Sequence, residues 1–360
     1  MLEFMNQIRT ETGIVIEELN LGGGFGIKYV DSDKPVPYGD YMKEIKITKN
    51  DSGQRFDKFL LKYFDKAPKS FIYKMMRKKR IKLNGGKADG NETLAEGDMV
   101  QMYLSEDTVD GFREKKSIST VERKFEIVYE DKNIIIVDKP AGVLSHAESK
   151  NDKDTLIDQI LSYLYSKKEY VPENENSFVP ALCNRLDRNT SGIVVVGKTA
   201  EAVRKLNEAV KNKRIRKLYM TLVKGEVKNS GRLEDFYSKD KENNKASLGS
   251  GEKKIVTLYR PIKYEKGFTL IEVELITGKS HQIRVHMASI GCPIVGDVKY
   301  GDVDINSAFR KNSGVKRQLL HAYKIEINGL GGELEYLNGK TFETKLPEDF
   351  IRAEKTIFKQ

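Results

Sequence analysis

Asp187 stands between Arg185 and Arg188 in the loop Asn184-Arg-Leu-Asp-Arg-Asn-Thr-Ser-Gly192, directly ahead of the apolar run Ile193–Val196. A carboxylate at the mouth of a buried strand can serve as a nucleophile or as a general base. Tyr219 lies in an alternating segment, Arg216–Lys224, and offers an aromatic face. A third group, Thr277–His286, holds Lys279, Ser280, His281, Arg284 and His286. His281 and His286 are five residues apart, about 140° around a helix, so they lack the shared face of an i, i+4 pair of zinc ligands. No metal is expected. Gly278-Lys-Ser280 ends like a phosphate-binding P-loop, but the first glycine of that pattern would fall at Val273, so ATP binding is not indicated. The fourth group is basic. Lys69, Lys74, Arg77, Lys78, Lys79, Arg80 and Lys82 sit within fourteen residues that contain no acid.

The whole chain of 360 residues has the same leaning, with 63 Lys and Arg against 53 Asp and Glu, a net charge of +10. An excess of this size points to a polyanionic partner, most simply nucleic acid. Residues 1–41 run against it, with three basic and seven acidic side chains, which leaves +14 on residues 42–360. The length suits two or three domains. No apolar run approaches the roughly 18 residues a membrane span needs. The first ten residues show no basic and then apolar secretory pattern. Two cysteines, Cys183 and Cys292, make neither a disulfide framework nor a four-cysteine zinc site. A soluble cytoplasmic protein is the expectation.

These residues need elements to position them. From Met42 to about Leu104 the pattern is a compact domain. Lys43–Thr48 alternates like a strand. Ser52 is placed to cap a helix over 54–64, with Phe56, Phe59, Leu60 and Tyr63 on one face. After Pro68 a second short helix carries the basic run outward, with Phe71, Ile72, Met75 and Met76 inward. A strand, I-K-L-N-G, follows. This helix and strand resemble the small RNA-binding domain first described in ribosomal protein S-four, the alpha-L motif. The resemblance implies that the basic residues lie along a phosphate backbone, giving affinity without sequence choice. Residues 105–122 are polar and aperiodic and read as a linker.

Residues 123–360 read as the catalytic domain. Strands are expected at 126–130, 134–137, 193–196, 216–224, 254–259 and 269–275. Thr199 is placed to cap a helix to about Lys211, and Ser280 a helix to Ile290 with Gly291 after its end. Strands and helices mix without a βαβ rhythm, so the fold class is α+β, with a mixed, largely antiparallel sheet, rather than doubly wound.

The string R-L-D-x-x-T-S-G at 185–192 resembles the signature of the large-subunit-type pseudouridine synthases. Four more segments resemble that family in the same order: Lys139-Pro-Ala-Gly142 with His146; Arg216-Lys-Leu-Tyr219 with Val223 and Gly225; Thr277–His286 with Gly291–Asp297 and Tyr300-Gly301; and Leu319–Ala322. The resemblance covers about 125–350. It implies isomerisation of uridine to pseudouridine in RNA, large-subunit ribosomal RNA by analogy, without cofactor. It implies that Asp187 is catalytic, that Arg284 pairs with it, and that Tyr219 lies against the target base. Arg185, Lys279 and His281 are then expected on the RNA. Two positions depart from the family: Asn184 stands where it often has His, and Lys279 where it often has Arg. Lys279 keeps the charge but not the fork of a guanidinium. The expected partner is RNA and the expected state a monomer.

A catalytically silent RNA-binding or ribosome-associated protein would need only the basic domain; the joint presence of Asp187, Tyr219 and Arg284 argues against it. Residues 20–41, with L-G-G-G-F-G-I-x-Y, resemble the phosphate loop of diaminopimelate decarboxylase. That enzyme needs a barrel of about 250 residues and a Schiff-base lysine, which 41 residues do not supply. Residues 1–41 therefore read as an extraneous extension, with Met42 as the functional start.

Overall fold

The computed structural model describes residues 42–358 apart from 115–116, 150, 241–244 and 250, and before them Thr10 and Thr12. The expectation for 1–41 thus falls, those two threonines aside, outside the described residues. The chain divides after Lys116 into two compact units, and Glu173–Phe178 belong with the first.

In the smaller unit three antiparallel strands lie in the order Met42–Lys46, Met99–Tyr103, Ile81–Leu83. The helices Phe56–Tyr63 and Lys69–Arg77 bury Phe56, Phe59, Leu60, Tyr63, Ile72 and Met76 with Val100 and Met102 of the central strand. The i, i+3, i+4, i+7 set read from the sequence is the buried face. Two expectations are corrected. Ser52 does not cap the first helix: its hydroxyl donates to the Lys49 carbonyl at 2.9 Å, and Arg55 occupies the N-cap without a side-chain cap bond. Asp57 takes the first turn instead, where the helix dipole favours an acid. Buried, it accepts the Arg55 fork at 3.0 and 2.9 Å and the Tyr73 hydroxyl at 2.7 Å. The linker reading fails over its first part. Glu106–Gly111 is a helix, Val109 is buried, and the Phe112 ring lies 4.5 Å from that of Phe71. Two apolar residues three apart complete this core, too few to register as a period. Residues 173–178 join this unit through hydrogen bonds: the buried Asp51 accepts from Asn176 at 2.7 Å and Ser177 at 2.8 Å.

The larger unit is built on one long sheet. Its strands run Lys245–Leu248, Gly231–Asp240, Lys253–Glu265, Phe268–Leu275, Ile215–Lys224, Leu320–Ile327, Ser191–Gly197, Ile134–Lys139, Glu126–Glu130. Every neighbouring pair is antiparallel except Leu320–Ile327 against Ser191–Gly197. This is the expected α+β architecture. The central strands are buried on both faces, so their apolar runs divide by parity. Ile135, Val137, Val194 and Val196 join one core with Ile160, Leu164, Ile283 and Met287 of the helices Leu156–Ser166 and Gln282–Ser289. Ile134, Ile136, Ile193 and Val195 join another with Ala202 and Leu206 of Ala200–Lys211. Each Ile, Leu, Val or Met side chain here contributes about 1.5–3 kcal/mol by leaving water. Thr199 caps its helix as expected, accepting from the Ala202 N–H.

His321 sits fully buried where the two parallel strands meet, Nδ1 at 2.9 Å from Ser191 Oγ and Nε2 at 2.9 Å from Thr344 Oγ1. Burial, and then Arg317, lower its pKa to about 4. The unfolded ring takes up a proton near pH 6.5, which folding must remove. Stability is therefore lost as pH falls from about 6.5 toward 4. We expect denaturant unfolding of His321→Asn to decline less than wild type between pH 7 and 5. Parallel declines would contradict this.

Candidate active site

The loop that carries Asp187 is fastened at nearly every residue. Asn184 brackets the following strand: its Oδ1 accepts from the Val195 N–H at 2.8 Å and its Nδ2 donates to the Ile193 carbonyl at 3.1 Å. The departure from the family's histidine thus falls on a residue whose bonds are structural. Ser145 Oγ accepts from the Leu186 N–H and donates to the Leu186 carbonyl. The Thr190 N–H closes the turn onto the Asp187 carbonyl at 3.0 Å. Lys139 is fully buried, and its ammonium donates to the carbonyls of Pro140, Val143 and Arg188 at 2.9, 2.8 and 3.1 Å. Three protons meet three acceptors, which is how a buried ammonium is tolerated. Burial still lowers its pKa to about 7. It ties the Lys-Pro-Ala-Gly loop to the Asp187 loop, a tie repeated by the Gly142 N–H on the Arg188 carbonyl at 2.8 Å. Arg317 holds the far side, donating to the Asn189 carbonyl at 3.2 Å and forking onto Asp349. Gly192, at φ +117°, ends the loop where a Cβ would stand 2.3 Å from the Ala322 carbonyl oxygen. Only glycine allows the close parallel strand there.

Held this way, the Asp187 carboxyl stays about a quarter exposed, 26%. Arg284, from the helix Gln282–Ser289, is buried and donates from Nη1 to Asp187 Oδ2 at 3.2 Å. The expected pair is present, but the stronger partner of Arg284 is Asp297. Nε and Nη2 fork onto its two oxygens at 2.7 and 2.8 Å. Asp297 is fully buried and also accepts from the Lys299 N–H at 2.9 Å and the Tyr300 N–H at 3.2 Å. Burial would raise the Asp297 pKa, yet the Arg284 hydrogen bonds hold it below the usual carboxylate range. One fork fixes the guanidinium and leaves its third nitrogen to address Asp187.

Tyr219 is buried, 5% exposed, on the strand Ile215–Lys224. Burial, and then the charge of Asp187, push its hydroxyl pKa up, so it stays protonated. His281 begins the helix in the left-handed region at φ 58°. Ser280 is not the N-cap; His281 is, and its ring turns toward Asp187. Nε2 lies 3.9 Å from Asp187 Oδ2, and Nδ1 lies 3.0 Å from the Tyr300 hydroxyl.

Asp187, Tyr219, His281 and Arg284 line one cleft of about 1200 Å³ within the larger unit. Its wall holds eleven Lys and Arg side chains and two carboxylates, Glu148 and Asp187. Arg185, Lys279 and His281, expected on the RNA, are there. Lys211, Lys213, Lys217, Lys239, Lys253, Lys254 and Lys299 are there as well, unforeseen, because they come from separate elements and form no run. The remaining predicted residues lie in the smaller unit. Lys69, Lys74, Arg77, Lys78 and Lys79 are exposed, on the helix Lys69–Arg77 and just after it; Arg80 and Lys82 are half-buried, with Lys82 Nζ 4.8 Å from the Tyr103 ring. Among the described residues no cluster of His, Cys, Asp or Glu could hold a metal ion, and no helix is long and apolar enough to cross a membrane.

Residues 133–289 match the family described as RNA pseudouridylate synthase. Residues 1–58 match the pyridoxal binding domain of the pyridoxal-dependent decarboxylases; of these, 42–58 supply the first strand and the start of the first helix of the smaller unit. The sequence is 31% identical over 286 residues to an uncharacterized RNA pseudouridine synthase of Mycoplasma genitalium, covering 78% of this chain and 87% of that one. It is 34% identical over 305 residues to another from Mycoplasma capricolum, covering 83% and 96%. Ribosomal large subunit pseudouridine synthase C of Vibrio vulnificus is 30% identical over 287 residues, covering 79% and 87%.

Proposed function

The chain belongs to the RNA pseudouridine synthase family, and on that premise we propose that Asp187 is the carboxylate that isomerises uridine in large-subunit ribosomal RNA. The observation that carries the assignment is the Asp187 carboxyl, partly exposed in a basic cleft, with a buried arginine nitrogen 3.2 Å away. In the reaction the C1′–N1 bond breaks, the base turns, and C5 joins C1′. The proton lost from C5 is balanced by one gained at N1. Asp187 acts on the ribose or base as nucleophile or general base. Reaching the uridine requires taking it out of its stack, at a cost of a few kcal/mol. Tyr219 holds the extruded base by ring contact, and Arg185, Lys279 and His281 hold the RNA. The relatives named for the large ribosomal subunit support ribosomal RNA as substrate. Large-subunit RNA from cells lacking the gene should gain pseudouridine when incubated with the purified chain. Gain confined to transfer RNA would overturn the ribosomal assignment.

The smaller unit, taken as 42–104 and extended by the helix Glu106–Gly111, serves as an RNA-binding domain through its basic helix. Exposed lysines without an acid among them neutralise phosphates and release counterions. Replacing Lys78, Lys79 and Arg80 by Gln should weaken RNA binding and lower the slope of log affinity against log salt by about 2. An unchanged slope would remove this helix from the interface.

A further inference from the structure

Tyr300 has one hydroxyl proton and two neighbours. The Ala246 N–H, from the strand Lys245–Leu248, donates to its oxygen at 2.6 Å. The other neighbour is His281 Nδ1, at 3.0 Å. With one N–H already donated to the oxygen, the hydroxyl proton is left to point at Nδ1. The reverse arrangement, Nδ1–H onto the oxygen, would leave that proton without an acceptor among the described residues. The bond count favours a bare Nδ1 in a neutral ring, with the proton on Nε2. Nε2 faces Asp187 Oδ2 at 3.9 Å, too far for a hydrogen bond, and makes none to another described residue. It points into the cleft beside the carboxylate.

We propose that His281 is a neutral hydrogen-bond donor, through Nε2–H, to an oxygen of the uridine held against Asp187, and that Tyr300 is the positioning residue that fixes this tautomer. The inference rests on the reading of Asp187 as the catalytic carboxylate. The surroundings keep the ring neutral. Burial acts first and lowers its pKa to about 4; Asp187 opposes the shift, while Arg284 on the same helix, Lys299 on the following loop and Lys239 on the strand Gly231–Asp240 support it. A charged imidazolium would have paired with Asp187 and tied up its oxygen; a neutral ring leaves the carboxylate free to act. Tyr300 is itself fixed, since its N–H donates to Asp297 and its ring lies 5.2 Å from the Arg284 guanidinium. The fork that aims Arg284 at Asp187 thus also sets the hydroxyl that orients His281.

Nitrogen NMR of the full chain labelled in histidine reads the tautomer directly, with His281 identified by the signals lost in His281→Gln. At pH 7 we expect an unprotonated Nδ1 and a protonated Nε2. In Tyr300→Phe we expect a mixture of tautomers and a fall in kcat of roughly 3- to 10-fold, the worth of one hydrogen bond, with KM within about twofold. His281→Gln, which keeps a side-chain N–H, should retain more activity than His281→Leu. A protonated Nδ1 in the wild-type chain, or equal activity in the Gln and Leu variants, would overturn the proposal. The nitrogen signals are read without substrate and do not require Asp187 to be catalytic, so this outcome is separate from the test of the catalytic carboxylate.

Discussion

Asp187→Asn should abolish pseudouridine formation, by at least about 10⁴-fold, while RNA affinity stays within a few-fold of wild type. The substitution keeps the size of the side chain and removes its capacity as nucleophile or base. The loop around it is held by bonds that do not involve the carboxylate. Lys139 clamps the Arg188 carbonyl, Ser145 brackets Leu186, and the turn closes through the Asp187 backbone. The fold should survive. Affinity comes mainly from elsewhere: eleven basic side chains in the cleft wall remain, and one repelling charge is gone. Single-turnover assays for conversion and filter binding for affinity separate the two quantities. A variant turning over within tenfold of wild type would remove Asp187 from the chemistry. A large loss of affinity would mean that the carboxylate grips RNA as well.

Arg284 should give the second-largest effect, and its two obvious replacements should differ. Arg284→Met leaves Asp297 fully buried without its countercharge. Breaking a buried pair in this way costs about 3–5 kcal/mol of stability, and Asp187 loses its neighbour at the same time. Arg284→Lys keeps a charge beside Asp297, so most of the stability should remain. An ammonium cannot fork onto both Asp297 oxygens and still reach Asp187, so we expect about a 10²-fold loss of kcat with a smaller change in KM. Denaturant midpoints and saturation kinetics on both variants measure this. Wild-type rates in Arg284→Lys would show that the fork geometry is irrelevant to turnover.

What the sequence displayed and what it concealed follow from how far each interaction reaches along the chain. The Phe56, Phe59, Leu60 and Tyr63 face and the Thr199 cap are local patterns, and both stand where the sequence places them. Asp187, Tyr219 and Arg284 could be named because each lies inside a recognisable string, and they meet in one cleft. Asp297 could not be given its role. It lies thirteen residues past Arg284 across a loop, and nothing in the spacing says that the fork goes there first. The cleft's lysines hid for a related reason: Lys217, Lys239, Lys253 and Lys254 are scattered among strands and converge only when the sheet forms. The acid-free run at 69–82 drew most of the reading of RNA contacts to the smaller unit, with only Arg185, Lys279 and His281 named in the larger one. The helix Leu156–Ser166 carries its own signal. Leu156, Ile160 and Leu164 repeat every fourth residue behind a Thr155–Asp158 capping box. The sequence points to Ser280 as the cap, because a left-handed histidine at a helix start has no signature there.

The account turns on Asp187 converting uridine in the cell. Pseudouridines should be mapped at nucleotide resolution in large-subunit ribosomal RNA from cells lacking the gene, resupplied with the wild-type gene, or resupplied with Asp187→Asn. At least one pseudouridine should be missing in the deletion, return with wild type and stay missing with Asp187→Asn. Its return with Asp187→Asn would contradict the account.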